Sequence, residues 1–226
     1  MYIKSTDSTN TQLKQLAAEG NPPEFIYAGY QTAGRGQTGN GWESEANKNL
    51  LCSILLPPDK NLHFLNIAVG VALLRVIGED FTIKWPNDIY YGDKKAAGIL
   101  VENAIIGNAI RYSIAGIGLN VNQTTFVSDA PNPISLKQIR GQEYDIEWLM
   151  NQLLKAVHTI LNEPEQEIWS YYKSHLYRRE GFWPFEDKLG RFEAAIQDVL
   201  PTGEIVLRDT NGQIRQYEFK QIKYIL

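Results

Sequence analysis

KAAGILVENAII (residues 95–106) and AIRYSIAGIGLNVN (residues 109–122) stand on either side of Gly107-Asn108. Both runs are long, largely apolar and rich in residues that suit a pleated surface. Gly-Asn between them is a tight-turn signal, so the stretch predicts two long strands joined as a hairpin. Upstream, FTIKW (81–85) predicts a strand that Pro86 breaks. The spacing of Phe64, Ile67, Ala68, Val71 and Leu74 predicts a helix from His63 to about Ile77. NLLCSILLP (49–57) predicts an apolar strand closed by Pro57-Pro58, and EFIYAGY (24–30) another. Nearer the start, Leu13, Leu16 and Ala17 share a helical face. Asp7, Ser8, Thr9 and Asn10 offer N-caps, while Gly20 and Pro22-Pro23 end the helix. YIKS (2–5) is a short strand candidate.

Downstream, a loop with Pro131 and Pro133 precedes two predicted helices, 145–162 and 164–177. The composition shifts after Arg178-Arg179, where aromatic residues and Pro crowd into GFWPFEDKLG (181–190). Short strands follow in RFEAAIQDVL, EIVLRDT and QIRQYEFKQIKYIL, with turns at Thr202-Gly203 and Asn211-Gly212. About forty residues of short antiparallel strands suggest a small barrel that leans on its neighbour.

The chain has 226 residues, 43% of them hydrophobic, enough for an ordinary globular core. Acidic residues outnumber basic ones, 26 against 22, which argues against a nonspecific nucleic-acid binder but leaves room for a local basic pocket. The single cysteine, Cys52, has no partner for an internal disulfide and reads as a buried strand residue. There is no signal-peptide core, no run of transmembrane length and no Cys/His cluster for zinc. A cytoplasmic protein acting away from membranes is the expectation.

Three stretches carry chemistry. In GRGQTGNGW (34–42), glycines let backbone N–H groups approach a ligand, Arg35 adds a fork suited to phosphate or carboxylate, and Trp42 adds a flat surface. It lacks the ending of a phosphate-binding P-loop, and no helix follows it as a dinucleotide fingerprint requires. In KWPNDIYYGDKKAAGILVE (84–102), Asp88 could bind magnesium or accept a proton. Only one of Lys94 and Lys95 can face a given pocket, because side chains alternate along a strand. The same residues also read as a hairpin with two solvated lysines. In GIGLNVN (116–122), two strand glycines leave room for a ligand or for a bend, and Asn120 sits at the strand's exit. His63, His158 and His175 lie outside all three stretches, and no nucleophile–base pair is evident. The residues alone reach nucleotide-dependent activation of a small acid by electrostatic catalysis.

The ordered motifs Ser8-Thr9-Asn10, Gly34–Trp42, Lys84–Asp88, Lys95–Glu102 and Gly116–Asn120 resemble those of the biotin protein ligases, the biotin–[acetyl-CoA-carboxylase] ligases. The resemblance is strong over about residues 5–125 and fainter beyond. It implies a two-step reaction, in which biotin and ATP give biotinyl-5′-AMP and a lysine of a biotin carboxyl carrier protein then takes the biotinyl group. It implies Lys95, Arg35 and Asp88 as catalytic residues. Lys95 and Arg35 would hold the carboxylate and α-phosphate, and Asp88 would act as base. Ser8, Thr9, Asn10, Gln31, Gly34, Arg35, Lys95, Gly98, Gly116 and Gly118 would bind biotin. Arg35, Gly36, Gln37, Trp42, Asn87, Lys95 and Asn120 would bind ATP or the adenylate. Mg2+ would bridge the ATP phosphates, with Asp88 as its candidate ligand.

The expected architecture is α+β: a mixed β-sheet catalytic unit with helices packed on one face over residues 1–180, and an SH3-like β-barrel over 181–226. A homodimer paired through sheet edges is admitted. Ser-Thr-Asn begins at residue 8, which reads as a ligase without the DNA-binding domain of some relatives. Gln37 stands where many members have a second Arg, which predicts a leakier adenylate. Two alternatives stay open: a lipoate or octanoate protein ligase of the same catalytic fold, and a nonenzymatic ligand-binding module.

Overall fold

The computed structural model describes residues 1–37, 39–106, 108–128 and 132–226. The hairpin at its centre is β6 (Lys94–Ile106) and β7 (Ala109–Leu119), antiparallel from Ala97↔Leu119 to Ile106↔Ala109 with a register shift after Ala104. That register leaves two residues for the turn; Gly107 lies outside the described residues, as do Thr38 of the Gly-rich loop and Pro131 of the Pro-containing loop. Around this pair the sheet runs β1 (Tyr2–Ile3), β2 (Phe25–Ala28), β3 (Leu50–Leu56), β7, β6, β5 (Asp88–Tyr91), β4 (Thr82–Lys84). β1 and β2 are parallel and the other neighbours antiparallel, so the sheet is mixed.

Strand alternation divides the sheet into two faces. Leu50, Cys52, Ile54 and Leu56 of β3 point into the main core with Ile99, Ala115, Ile117 and Leu119. Three helices cover that face: α2 (Leu62–Ile77), α4 (Ile146–Leu161) and α5 (Glu165–Ser174). α2 is apolar nearly all round and, Asn66 apart, buried from Phe64 to Leu74, as a central core helix must be. Leu55 of β3 points the other way, into a smaller cluster with Leu13, Leu16, Ile26, Ala104 and Ile114. α1 (Thr9–Glu19) therefore packs on the opposite face, where the sheet's glycines also lie. One face carries the bulk of the helices, and α1 is the addition that builds the site.

The second expected helix after the Pro-containing loop ends early, at Ser174. Ile83 N–H donates to the His175 carbonyl, and Tyr177 N–H donates to the Ile83 carbonyl, so residues 175–177 clip onto the β4 edge instead. A short helix, α3 (Leu136–Arg140), occupies what the sequence reads as loop. Ser135 accepts from Gln138 N–H and Gln138 accepts from Ser135 N–H, a complete capping box.

The C-terminal sheet is antiparallel in the order β11 (Ile214–Tyr217), β10 (Ile205–Asp209), β9 (Gly190–Val199), β8 (Trp183–Asp187), β12 (Lys223–Tyr224). It shares the main core: Phe185, Ile205, Leu207 and Ile222 belong to the same apolar cluster as α2 and β3. Trp85 Nε1–H donates to the Gly203 carbonyl at 2.9 Å, and its ring meets Phe219. No helix among the described residues is long and apolar enough to cross a membrane.

Candidate active site

The α1 face of the sheet carries a cavity of about 630 Å³. Its floor follows from register. Lys84 pairs with Asp88, Asp88 with Gly98, Gly98 with Gly118, and Gly118 with Leu51, a straight row across β4, β5, β6, β7 and β3. In the next row Leu100 pairs with Gly116, and Gly116 with Ser53. Residues paired across antiparallel strands share a face, so two glycines lie between a charged end and a hydroxyl end.

Those glycines have definite neighbours. A Cβ on Gly118 would stand 2.7 Å from Trp42 Nε1 and 2.8 Å from Cζ2; one on Gly98 would stand 3.1 Å from Trp42 Cζ3. Only a bare floor lets the indole lie flat there. Gly116 differs, because a Cβ would stand 2.8 Å from Asn10 Cγ. It makes room for a protein side chain rather than for open cavity.

The hydroxyl end is built by the start of α1. Ser8 is the N-cap but makes no side-chain cap bond. Thr9 N–H and Oγ1–H both donate to Gln31 Oε1, at 2.8 and 3.1 Å. Asn10 Nδ2–H donates to Glu102 Oε2 and to the Leu100 carbonyl, and Ser53 Oγ–H lies within bonding distance of Asn10 Oδ1 and Thr9 Oγ1. These bonds fix the Gln31 amide with its oxygen occupied, so its Nε2–H donors are the ones left to meet a ligand.

The charged end depends on an irregularity. Ile89 pairs with Ala97 but Tyr90 with Lys95, so Ala96 is an extra residue in β6. Strict alternation from Gly98 would turn Lys95 to the helix side. The extra residue turns it into the cavity, where Nζ meets Asp88 Oδ1 at 2.7 Å. Lys94 is exposed. Lys84 Nζ–H donates to the Tyr90 hydroxyl at 3.0 Å and lies over the Tyr90 and Tyr224 rings at 4.6 and 5.1 Å. Burial is the main cause that lowers its ammonium to about 8; Asp88 opposes the shift, and the charges of Lys95 and Arg178 add to it.

The Gly-rich loop folds as a narrow hairpin over the cavity. Gly36 N–H donates to the Asn40 carbonyl and Trp42 N–H to the Gly34 carbonyl; Gly39 at its tip has φ +85°. Arg35 Nη2–H donates to Thr11 Oγ1 at 3.2 Å and stands 3.5 Å from Glu102 Oε2. Burial works against the charge on Glu102. Bonds from Asn10 and Lys14, with the charges of Lys14 and Arg35, outweigh it and hold the carboxyl below its ordinary value.

Of the expected site residues, Ser8, Thr9, Asn10, Gln31, Arg35, Gly36, Gln37, Trp42, Asn87, Asp88, Lys95, Gly98, Gly116 and Gly118 line this one cavity. Two expected residues, Gly34 and Asn120, are not among those that line it. Gly34 is at the loop's base, where a Cβ would stand 2.7 Å from the Trp42 carbonyl oxygen, so it closes the loop rather than meeting the cavity. Asn120 is buried behind the wall, its Nδ2–H donors spent on the Ile134 and Lys95 carbonyls. It fixes the start of β6. Asn87 lines the cavity, but its Nδ2–H donates to the Ile99 carbonyl at 2.6 Å. Among the described residues no three His, Cys, Asp or Glu side chains gather to hold a metal, and Asp88 is the one acid on the cavity wall.

The sequence reading gave no site role to Ser53, to Lys84 and Glu102 (which open and close two of the quoted motifs), or to the cavity wall made by Phe219, Lys220, Ile222, Lys223 and Tyr224. Ser53 had a signal, as a lone hydroxyl in an apolar strand, and so did Glu102, an acid in the middle of another.

A mixed sheet with a glycine floor, a fixed amide at one end and paired charges at the other is built to hold a flat, acidic small molecule. Comparison places that class: residues 2–120 match the family model described as biotin/lipoate A/B protein ligase, and the chain belongs to that family. Over 166 residues it is 35% identical to the bifunctional ligase/repressor BirA of Bacillus spizizenii, covering 67% of this chain and 49% of that protein. It is 31% identical over 168 residues to the biotin–[acetyl-CoA-carboxylase] ligase of Mycobacterium tuberculosis, covering 69% of this chain and 61% of the other. The biotin protein ligase of Aquifex aeolicus, solved in complex with biotin and ATP, superposes with a TM-score of 0.81 at 25% identity, over 100% of this chain and 98% of that one. The chain thus spans about half the length of the first curated relatives it matches.

Proposed function

We propose that this chain is an ATP-dependent biotin–protein ligase. It activates biotin as biotinyl-5′-AMP and transfers the biotinyl group to a lysine of a biotin carboxyl carrier protein. The observation that carries this reading is the row from the Thr9–Gln31–Ser53 cluster, over Gly118 and Gly98, to the Lys95–Asp88 pair. A ureido ring hydrogen-bonds at the first end, its aliphatic tail lies on the glycines, and its carboxylate reaches Lys95.

In the first step a carboxylate oxygen attacks the α-phosphorus, the bond to the bridging oxygen breaks, and pyrophosphate leaves with the electron pair. Both reactants are anions. The Lys95 ammonium holds them together and stabilises the charge that builds up between them. Arg35 swings from Glu102 to the same phosphate, bringing Gly36, Gln37 and Trp42 over the adenylate and excluding water. In the second step the acceptor amine attacks the carbonyl carbon, AMP leaves, and Asp88 accepts the amine's proton. Asp88 alone does not make a metal site, so Mg2+ fits as an ion carried in on the ATP phosphates, with Asp88 beside it. In this reading residues 1–180 hold the chemistry and 181–226 close the cavity's far wall.

Mass spectrometry of a carrier domain incubated with the protein, ATP, magnesium and biotin tests the reading. One added biotinyl group is expected, and no modification would overturn it. Calorimetry with biotin and with lipoate separates it from the lipoate alternative, and tighter binding of lipoate would favour that rival.

A further inference from the structure

Glu43 directly follows Trp42 and lies off the cavity wall. Two consecutive backbone donors take its two carboxylate oxygens. Val127 N–H donates to Oε1 at 2.8 Å and Ser128 N–H to Oε2 at 2.9 Å. Burial works against its charge, but bonds from Ser128, Val127 and Gln123 outweigh it and hold the carboxyl below its ordinary value. A free acid beside a loop that closes on a phosphate would repel the ligand. Here its charge is spent on fixed donors.

Gln123 ties the same junction a second time. It is buried, and its Oε1 accepts Glu45 N–H at 2.8 Å and Asn49 Nδ2–H at 2.5 Å, while its Nε2–H donates to the Thr125 carbonyl. Asn49 Oδ1 in turn accepts Val121 N–H. Asn120, the residue before it, bonds to the backbone of Ala96 and Lys95. A continuous set of bonds thus runs from the residue after Trp42 to the main chain of Lys95.

The Gly-rich loop is therefore held unequally. Arg35 is half exposed, and its partners are the Thr11 hydroxyl and Glu102, which Lys14 shares. Just past Trp42 the hold is charged, paired and made to main chain. The indole itself lies over Gly98 and Gly118, with Lys95 Nζ 5.6 Å from the centre of its ring. We propose that Glu43 is a positioning residue: it fixes the end about which the Gly-rich loop moves, so that the Trp42 indole is delivered to one place beside Lys95 when the loop closes on the adenylate. The inference rests on the ligase reading above. Glu43 touches no reactant and acts through Trp42.

The test is the rate at which preformed biotinyl-5′-AMP escapes from the whole protein and from Glu43→Gln and Val127→Pro variants. A carboxamide keeps the shape of the carboxylate but turns N–H groups toward one of the backbone donors. Escape is expected to rise about tenfold in Glu43→Gln, with biotin affinity within about threefold of the unmodified protein. A purely structural role would weaken biotin by the same factor. Val127 is 86% exposed, so its proline variant removes one donor without opening the core. Both variants break one contact, so the double variant is expected to release the adenylate no faster than the faster single one. Unchanged escape in Glu43→Gln, an equal loss of biotin affinity, or multiplied effects in the double variant would overturn the anchor. Failure of the unmodified protein to bind biotinyl-5′-AMP would instead count against the ligase reading. Amide exchange at Val127 and Ser128 then still reads the anchor, and equal protection in the unmodified protein and in Glu43→Gln would overturn it.

Discussion

Gly118→Ala separates the floor of the site from the stability of the fold. Gly118 lies in β7 with no positive φ, so alanine suits its backbone and restricts the unfolded chain, a gain of about 0.4–1 kcal/mol if nothing clashes. The added methyl, however, would stand 2.7 Å from Trp42 Nε1 and 2.8 Å from Cζ2. Ordinary carbon contacts lie near about 3.5–4.0 Å, so anything flat on this floor must rise by close to 1 Å. Trp42 sits on a loop hairpin and can lift away. A tail whose carboxylate must meet Lys95 cannot rise without losing that alignment. A displacement of this size costs on the order of 100-fold in rate, or about 2.7 kcal/mol of transition-state stabilisation. The assay is biotin-dependent release of pyrophosphate from ATP, alongside thermal melting. The expected result is an unchanged or slightly raised Tm with kcat/KM for biotin down about 100-fold. Normal activity in a well-folded Gly118→Ala protein would refute the placement of the ligand on this row.

Lys95→Ala should lower the adenylation rate by about 10²–10³-fold or more, and near-normal pyrophosphate release would remove Lys95 from the mechanism. Gln37→Arg should slow the escape of biotinyl-5′-AMP, since Gln37 lines the cavity with its Oε1 buried and unpartnered where a second cation could face the phosphate; equal release rates would sink that idea. Lys84 titrates near 10.4 when unfolded and at about 8 when folded, with Asp88, Lys95, Arg178, Tyr90 and Tyr224 around it. Between those values the unfolded chain binds more protons, so this residue's contribution to stability rises with pH there and is flat below it. Lys84→Met should therefore be the more stable protein at pH 7 in denaturant melts, its advantage shrinking as pH is raised toward 10. An advantage independent of pH would contradict the burial of that charge.

The hairpin and the glycine floor were legible because both follow from local rules: apolar strand runs, a Gly-Asn turn, and glycines that cost a strand stability unless something lies on them. The orientation of Lys95 was not. Counting back by twos from Gly98 selects Lys94, and only the extra residue Ala96, set by pairing with β5, reverses the choice. Family resemblance supplied Lys95; the pleat alone would have rejected it. α3 was overlooked although Ser135-x-x-Gln138 is a capping-box spelling, because the flanking prolines outweighed it. The wall from Phe219 to Tyr224 had no local signal. Its residues reach the cavity through tertiary contacts of Trp85 with Gly203 and Phe219, more than a hundred positions away in sequence.

Trp42 raises a question of competition, since it covers the floor on which the ligand must lie. Trp42 is only part-buried, so its ring contributes less than the about 1.5–3 kcal/mol of a fully buried apolar side chain. Its Nε1–H, however, is buried with no acceptor, and an orphaned donor costs about 1–3 kcal/mol. The two effects nearly cancel, so the loop holds its position with little net free energy. Arg35 is balanced in the same way: its guanidinium is half exposed and shares Glu102 with Lys14, so it surrenders little when a phosphate offers a better partner. A ligand that takes over the floor and offers an anion at its far end therefore meets weak resistance from both residues. On the proposed ligase reading, the loop then settles over the adenylate, with the indole on the nucleotide and the guanidinium on its phosphate, at little cost to the binding energy needed for alignment at Lys95.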